Sequence, residues 1–303
     1  MLNDKYKKDF LHAGSLANVV RSFGKSLIKK GASYNDVISK INHKIFELGA
    51  RPAFPPQLAL NDVAAHYLPK PDEDLIFFDE IIKLDIGVCY NGAIGDCAAT
   101  IDLSGKFQVL ITAAEAALLA AEQSIEVGRK IREIGKIIAE TISSYGLKPI
   151  KNLGGHGLGL YKVHTPPMIP NYDDKSSGTI KPGMTFAIEP FATNGHGSIY
   201  EGGTPCIFSF LADRPVHSEP ARELLKKIKT FKGLPFAVHD LIASHLTLGD
   251  VKFGLAELLQ AQAILGYAPL IEKGHGMVAQ AENSVLVDEK GKVFITTRDN
   301  QQS

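Results

Sequence analysis

Two aspartates flank an Asn-Gly pair in the segment IIKLDIGVCYNGAIGDCAATI, and their types and spacing could support metal chemistry. Asn91-Gly92 between two apolar stretches is a strong signal for a two-residue β-hairpin turn. In that register Asp96 lies opposite Gly87. Because alternate residues of a strand share a face, Asp85 and Asp96 become diagonal neighbours on one surface. Their Cβ atoms would lie about 7 Å apart, so the two carboxylates could bridge a pair of metal ions.

The opposite face of the first hairpin strand is apolar and forms a core stripe of Ile82, Leu84, Ile86 and Val88. The aspartates therefore point away from that core, into either a polar cavity or solvent. Two like charges held close together require a cation, a shared proton or bulk water. The hairpin alone is equally compatible with a metal site and with two hydrated aspartates on an exposed sheet.

Three further residues could ligate a metal and occupy unusual settings. His156 lies in the run GGHG, whose glycines let backbone and ligand approach closely. Glu189 in MTFAIEPF and Glu282 in VAQAENSVLV are carboxylates within apolar, strand-like segments, where a buried charge needs a partner. Gln280 is a candidate hydrogen-bond donor beside Glu282. Taken singly, each of the three could also be a structural or surface residue.

Four carboxylates and one imidazole would make an oxygen-rich site with a single nitrogen. This donor set suits a pair of divalent ions such as Co, Mn, Fe or Zn better than a structural zinc, which prefers cysteine and histidine. A metal pair of this kind lowers the pKa of a bridging water and polarises a carbonyl group. The chemistry indicated is therefore amide hydrolysis.

The elements that must position these residues include four helices in the first half of the chain. Apolar spacing predicts one helix over residues 3–30, and a second from Ser33 to Gly49. Ser33 and Asp36 have the spacing of a capping box at the start of the second helix. Two Ala/Glu/Leu-rich helices are predicted at about 107–127 and 129–145. Residues 51–74 are Pro-rich, which predicts loops and short strands.

The second half of the chain is predicted to hold strands interrupted by a helical block. The segments GMTFAIEPFA and GMVAQAENSVLV alternate like strands, and the second leads through the turn DEKGK into VFITT. Between them, residues 217–265 contain the amphipathic segments ARELLKKIKTF, LPFAVHDLIASHL and FGLAELLQAQAIL. Three successive helical segments between two strands predict an all-helical inserted subdomain.

Composition and charge are those of an ordinary globular protein. The 303 residues include 33 basic and 33 acidic side chains, so the net charge is zero and a polyanionic main partner such as DNA is disfavoured. No run of about twenty apolar residues is present, and the start MLNDKYKKDF is too charged for a signal peptide. Three cysteines fit a reducing compartment, so we expect a cytoplasmic protein without membrane association.

The ordered set Asp85, Asp96, His156, Glu189 and Glu282 resembles the metal ligands of the pita-bread metallopeptidases, which include methionine aminopeptidases, prolidases and creatinases. The local strings LDIGVCYNGAIGDCAAT, GGHGLGLYKVH, FAIEPFA and AQAENSVLV carry this resemblance, which covers nearly the whole chain. It implies an α+β protein with the pita-bread fold and two divalent ions per chain. In this family Asp96 and Glu282 would bridge the ions.

The same resemblance implies roles for residues outside the metal set. His66, in NDVAAHYLP, matches a histidine that contacts substrate near the scissile amide. His164 matches a histidine that binds the carbonyl side of the substrate and stabilises the tetrahedral intermediate. Glu189 would also shuttle a proton from the bridging water. Phe54 and Tyr267 would line the methionine pocket.

The spacing of 93 residues from Glu189 to Glu282 resembles that of the type II branch of the methionine aminopeptidases (subfamily A of peptidase family M24), in its compact archaeal form. That branch carries a helical, winged-helix-like insertion at this point. The resemblance therefore implies a catalytic domain over residues 1–194 and 269–303, and an insertion over residues 195–268.

The implied activity is metal-dependent removal of the initiator methionine from nascent proteins whose second residue is small. The implied partners are the N-termini of nascent polypeptides, with an encounter at the ribosome left open, and the expected state is a monomer. Two alternatives remain: a prolidase-like dipeptidase on the same fold, and a non-catalytic relative that binds RNA or ribosomes. The second would be expected to lack metal ligands, and all five are present here.

Overall fold

A computed structural model describes residues 3–70, 72–242 and 246–298 of the chain. The described residues form seven helices: α1 (Asp4–Leu27), α2 (Tyr34–Glu47), α3 (Gln108–Gln123), α4 (Ile131–Ser144), α5 (Glu219–Lys229), α6 (Val238–Leu241) and α7 (Leu248–Gln260). The four helices predicted in the first half are thereby confirmed. Ser33 caps α2 by accepting from the Asp36 N–H, while the Asp36 carboxylate contacts Lys40 instead of completing a capping box.

The strands are mostly short, and the two longest form the predicted hairpin. In chain order they are β1 (Arg51–Pro52), β2 (Gln57–Leu60), β3 (Val63–Ala65), β4 (Ile81–Tyr90), β5 (Ala93–Asp102), β6 (Lys148–Pro149), β7 (Gly154–Gly159), β8 (Lys162–Pro170), β9 (Thr185–Ile188), β10 (Phe191–Thr193), β11 (Ile199–Glu201), β12 (Ile207–Phe210), β13 (Phe236–Ala237), β14 (Ile264–Tyr267), β15 (Leu270–Glu272), β16 (Val278–Gln280), β17 (Asn283–Val287) and β18 (Val293–Ile295).

The hairpin β4–β5 is covered on its apolar face by α1 and α2. The predicted stripe of β4 is fully buried in a core that also contains Tyr34, Ile41 and Ile45 of α2. Strand β2 extends this sheet on the other side of β4. The helices thus fix the hairpin from one side and leave its second face free to form a site.

A five-stranded antiparallel sheet in the order β18-β17-β9-β7-β8 lies beside the hairpin. Helices α3 and α4 pack against its apolar side and bury Ala117, Ile134 and Ile138 together with Phe186 and Val285. Strands β10 and β16 continue from β9 and β17 into a separate three-stranded sheet with β6. The β9–β10 and β16–β17 segments therefore each cross from one sheet to another.

The insertion between β11 and β15 is a mixed unit, so the prediction of an all-helical block is wrong. Helices α5 and α7 form as predicted, but LPFAVHDLIASHL forms the short strand β13 and the single helical turn α6, with its residues 243–245 outside the described part. Strands β12, β13 and β14 pair into one sheet that shares a core with the helices. Burial of Phe236 against Phe208 outweighs the helical periodicity of that segment.

Candidate metal centre

The hairpin has the predicted register, with Asp85 opposite Ala98 and Asp96 opposite Gly87. Asn91 and Gly92 both have positive φ, 51° and 91°, as a two-residue turn of this type requires. Ala98 also forms a bridge with Glu282, through hydrogen bonds of 3.4 and 3.2 Å between their backbones. The hairpin is therefore tied directly to the segment that carries another predicted ligand.

Glu189 and Glu282 lie at the two points where the chain crosses between sheets. The pairs Ile188–Asn283 and Phe191–Gln280 have the same register, so the two glutamates lie opposite each other between them. Both were predicted to lie within strands, and this detail is wrong: Glu189 follows the end of β9, and Glu282 precedes β17. The break in the ladder lets both side chains point toward the hairpin face.

His156 comes from β7 and brings the imidazole into the same cluster. Its Nε2 lies 3.6 Å from Glu189 Oε1 and 3.9 Å from Asp96 Oδ2. The preceding glycine is sterically required, because a Cβ at Gly155 would lie 2.1 Å from the Ala187 carbonyl oxygen. The glycine-rich string around His156 thus lets β7 pack closely against β9.

All five predicted ligands converge, and the donor atoms of Asp96, His156 and Glu282 lie within 4.8 Å of one another. Asp85 Oδ1 and Asp96 Oδ1 are buried and have no hydrogen-bond partner. Buried carboxylate oxygens without donors are costly unless a cation satisfies them. The residues present therefore fit divalent metal ions.

Burial and mutual repulsion perturb every ionisable group in this cluster. Burial raises the pKa of Asp85 to about 7. Burial and then repulsion by neighbouring carboxylates raise the pKa values of Asp96, Glu189 and Glu282 well above their usual range. Burial lowers the pKa of the His156 imidazole to about 3, so it is neutral and can ligate at neutral pH. Without a cation, the four carboxylates would retain protons that metal binding displaces.

Gln280 behaves as the sequence predicted. Its Nε2 lies 3.4 Å from Glu189 Oε2 and 3.3 Å from Glu282 Oε2, so one amide group donates to both glutamates. Gln280 itself is fixed by Thr100, whose hydroxyl donates to the Gln280 carbonyl at 2.7 Å and accepts from its N–H at 2.8 Å. These contacts orient the two glutamate oxygens that face away from the cavity.

The cluster forms one end of a cavity of about 430 Å³. The four other residues predicted from resemblance, Phe54, His66, His164 and Tyr267, line the same cavity. The rings of His156 and His164 lie 4.2 Å apart, and those of His66 and Tyr267 lie 5.5 Å apart. Burial lowers the pKa of His66 to about 4 and also lowers that of His164, so both rings are neutral at pH 7.

A sequence profile of the family described as "Metallopeptidase family M24" matches residues 9–289. The chain belongs to this family. It is 40% identical to a methionine aminopeptidase of Methanocaldococcus jannaschii, over 97% of this chain and 98% of that protein. It is 42% identical to a methionine aminopeptidase of Thermococcus onnurineus, over 96% and 99% of the two chains.

Solved structures of other proteins show the same fold. The crystal structure of Thermotoga maritima methionine aminopeptidase superposes with a TM-score of 0.70 at 20% identity, covering 98% of each chain. A thermophilic Arx1 gives a TM-score of 0.82 at 13% identity, over 98% of this chain and 91% of that one. Pyrococcus furiosus prolidase gives 0.61 at 17% identity, over 99% of this chain and 66% of that one. The predicted α+β, pita-bread fold is confirmed.

Several residues that line the cavity of this M24 peptidase were not singled out in the sequence. They are mostly apolar or small, and their contribution depends on contacts between distant segments: Gln57, Ala65, Leu153, Gly154, Val163, Thr165, Pro166, Met168, Phe191, Ile207, Pro235 and Leu270. Gln57 lies beside Asp85 because β2 pairs with β4. That pairing could not be read from the Pro-rich segment 51–74.

Gly87 is predicted to control the shape of the apolar part of this cavity. A Cβ at this position would lie 2.3 Å from Phe54 Cε1, and the Phe54 ring is 6% exposed within a packed core. We expect Gly87→Ala to displace the Phe54 ring and raise KM for a methionyl peptide about tenfold, while metal content stays unchanged. Steady-state kinetics with metal analysis test this. Gly178→Ala, where the nearest atom lies 3.3 Å away, is the control.

Proposed function

We propose that this M24 peptidase is a methionine aminopeptidase, which removes the initiator methionine from proteins whose second residue is small. The supporting observation is the convergence of four carboxylates and one imidazole at the end of an apolar cavity. Relatives at 40% and 42% identity over nearly their full length are named methionine aminopeptidases.

We propose that five side chains would hold two divalent ions, of Co, Mn, Fe or Zn: Asp85, Asp96, His156, Glu189 and Glu282. Such a pair supplies a hydrolytic nucleophile at neutral pH and polarises the scissile carbonyl. Glu189 is at the edge of the cluster, 3.6 Å from His156, and takes up the proton that the nucleophile releases. A carboxylate at this place can receive a proton and pass it to the leaving amine.

The two other histidines that line the cavity, His66 and His164, face the substrate. His164 is a neutral imidazole beside His156, and its N–H can donate to the oxygen that develops negative charge during attack on the carbonyl. His66, whose ring lies beside that of Tyr267, contacts the substrate near the scissile amide. Phe54 and Tyr267 form walls of the methionine pocket, together with Ile207. An unbranched thioether side chain matches this apolar lining.

The prolidase-like alternative is tested by substrate choice. Methionine removal predicts that Met-Ala-Ser is cleaved faster than Met-Pro or other Xaa-Pro dipeptides by the metal-loaded protein. Faster cleavage of the Xaa-Pro dipeptides would support a prolidase instead. A metal-loaded protein that cleaves no methionyl peptide would support the non-catalytic, RNA- or ribosome-binding alternative.

We further propose that the protein acts in the cytoplasm, as a monomer, on the N-termini of nascent polypeptides, with no DNA or membrane partner. No helix in the described part of the chain is long and apolar enough to cross a membrane.

The proposed catalytic domain comprises residues 1–194 and 269–303, and the proposed insertion comprises residues 195–268. Strand β11 lies within these insertion limits but pairs with β15, which in turn pairs with β3 of the proposed catalytic domain. The separate core of the insertion therefore starts with β12.

Replacing His66 should separate substrate handling from metal binding. We expect His66→Ala to lower kcat/KM for Met-Ala-Ser about 100-fold, within the range for loss of a positioned polar group, while the bound metal is unchanged. Metal content and steady-state kinetics are the measurements. His43→Ala, at an exposed position of α2, is the matched control and should match the wild type. Loss of metal from His66→Ala would contradict the proposed role.

A further inference from the structure

His66 has an unusual backbone conformation for a residue with a side chain. It follows directly after β3, and its φ is +58°, in the left-handed region that is unfavourable for residues other than glycine. Such a conformation persists only where the surroundings hold it. The contacts on both sides of the His66 backbone therefore act together with the hydrogen bond between its imidazole and the Ala268 backbone to decide where the imidazole points.

Gln57 holds the amide side of His66. Its Oε1 accepts a hydrogen bond from the His66 N–H at 2.6 Å. Gln57 is 4% exposed, and it lies on β2 directly opposite the proposed ligand Asp85 on β4. A buried side chain next to the metal cluster thus fixes the backbone N–H of His66.

Cys206 holds the carbonyl side of the same residue. Its Sγ donates to the His66 carbonyl oxygen at 3.0 Å, and its own N–H donates to the Tyr267 carbonyl oxygen at 3.2 Å. Cys206 directly precedes β12, and Tyr267 is the last residue of β14. In chain order β12 and β14 are the first and last strands of the insertion sheet, and both residues lie at the strand ends nearest the cavity. The contact therefore links the insertion to His66 through one thiol.

The turn before β3 is fixed independently of these contacts. Lys83 is fully buried on β4, and its Nζ donates to the Asn61 carbonyl oxygen at 2.7 Å. Asn61 begins the turn that leads into β3. The strand itself is held by pairing with β15, where Ala65 lies opposite Leu270, so Gln57 and Cys206 act on the residue that follows it.

We propose that Gln57 and Cys206 are positioning residues, which clamp the His66 backbone in its left-handed conformation and thereby direct its imidazole into the cavity. The clamp connects strand β2, which lies beside the metal cluster, to His66 through Gln57. It connects His66 to the insertion through Cys206. This inference rests on the role proposed for His66 in methionine removal. It assigns to the insertion a part in shaping the active site.

The test uses the full, metal-loaded chain with four single variants. Gln57→Met keeps the length of the side chain and removes the amide oxygen, and it should lower kcat/KM for Met-Ala-Ser about tenfold with unchanged metal content. Cys206→Ala should lower it about threefold, whereas Cys206→Ser, which keeps a hydroxyl donor, should restore it to within twofold of the wild type. Cys89→Ala removes a thiol elsewhere in the fold, on β4, and as the control it should have no effect.

A double variant distinguishes positioning of His66 from a general loss of stability. In the His66→Ala background, Gln57→Met should cause no further loss of kcat/KM, because the side chain that the clamp directs is absent. A further tenfold loss in that background would overturn the proposal, as would wild-type kcat/KM in Gln57→Met alone.

A measurement independent of activity separates this proposal from the proposed function. In ¹³C-histidine-labelled protein, the Cα resonance of His66, assigned by comparison with His66→Ala, should shift in Gln57→Met and remain in place in Cys89→Ala. An unshifted resonance in Gln57→Met would overturn the clamp. If His66→Ala retained full activity while the resonance still shifted, the clamp would hold and the role of His66 in methionine removal would fail.

Discussion

Glu189→Gln should reduce turnover of Met-Ala-Ser by about a thousandfold, even at saturating metal. Glutamine has nearly the same shape as glutamate and can still contact Gln280, so the fold around the crossover from β9 to β10 is retained. It has no negative charge and cannot accept the proton released by the nucleophile. Loss of a general base typically costs two to four orders of magnitude, to which the weaker metal ligand adds.

The variant is best measured as kcat over a metal titration, with bound metal counted in the same samples. Glu201→Gln, at an exposed position of β11, is the matched control and should keep wild-type kcat. If Glu189→Gln kept more than a tenth of the wild-type kcat at saturating metal, Glu189 could not be the group that carries the proton.

Removal of metal should make the stability of the protein fall as the pH rises from 7 to 9. The native carboxyls have raised pKa values, about 7 for Asp85 and well above the usual range for Asp96, Glu189 and Glu282. The native state therefore holds protons that the unfolded chain has already released, so stability falls with rising pH until the native carboxyls also lose them. For Asp85 this fall is largely complete by about pH 7, and each carboxyl that is still protonated in the native state above pH 7 contributes up to about 1.4 kcal/mol per pH unit.

The buried histidines oppose this trend only at lower pH. The pKa values of His66 and His156 are lowered to about 4 and about 3, so below about pH 6.5 the unfolded chain binds the additional protons and stability rises with pH. Above pH 7 the histidines of the unfolded chain are also neutral, and this contribution ends. Above pH 7 the remaining effect of the cluster is therefore the decrease in stability caused by the carboxyls.

Thermal unfolding of the chelator-treated and metal-loaded protein, each measured at pH 7, 8 and 9, tests this prediction. The difference in Tm between the two forms should widen with pH, because bound cations take the place of the carboxyl protons. Groups outside the cluster, such as the buried Lys83, affect both forms alike and cancel in the difference. A constant difference in Tm over this interval would contradict the assignment of the carboxylates as a metal site.

Local signals were sufficient to predict the hairpin and the helices. The Asn-Gly turn defines the register of β4 and β5, and a two-residue period then places Asp85 and Asp96 on one face. Ser33 and the glycines after the helices mark their ends because they supply caps and left-handed residues. Local settings marked His156, Glu189 and Glu282 as candidate ligands, and resemblance joined them to the aspartates. All nine site residues line one cavity, including the four further ones that resemblance supplied: Phe54, His66, His164 and Tyr267.

Features that depend on distant segments were not predictable. The crossing of the chain between sheets at Glu189 and Glu282 is set by pairing across more than ninety residues, and no local pattern reports it. The strand β13 forms inside a segment with helical periodicity because it pairs with β12. That partner precedes α5 in the sequence, so no local pattern indicates the pairing. The contacts of Gln57 and Cys206 with His66 likewise join elements that are remote in sequence.

The distribution of the ligands along the chain has a consequence for biosynthesis. Asp85 and Glu282 come from opposite parts of the sequence, and the bridge between Ala98 and Glu282 joins their segments. A ribosome-bound chain that has emerged only as far as β8 would hold two aspartates and one histidine, and would lack both glutamates. We therefore expect ion capture to be a late step of synthesis, which would keep incomplete chains of this peptidase from cleaving other proteins.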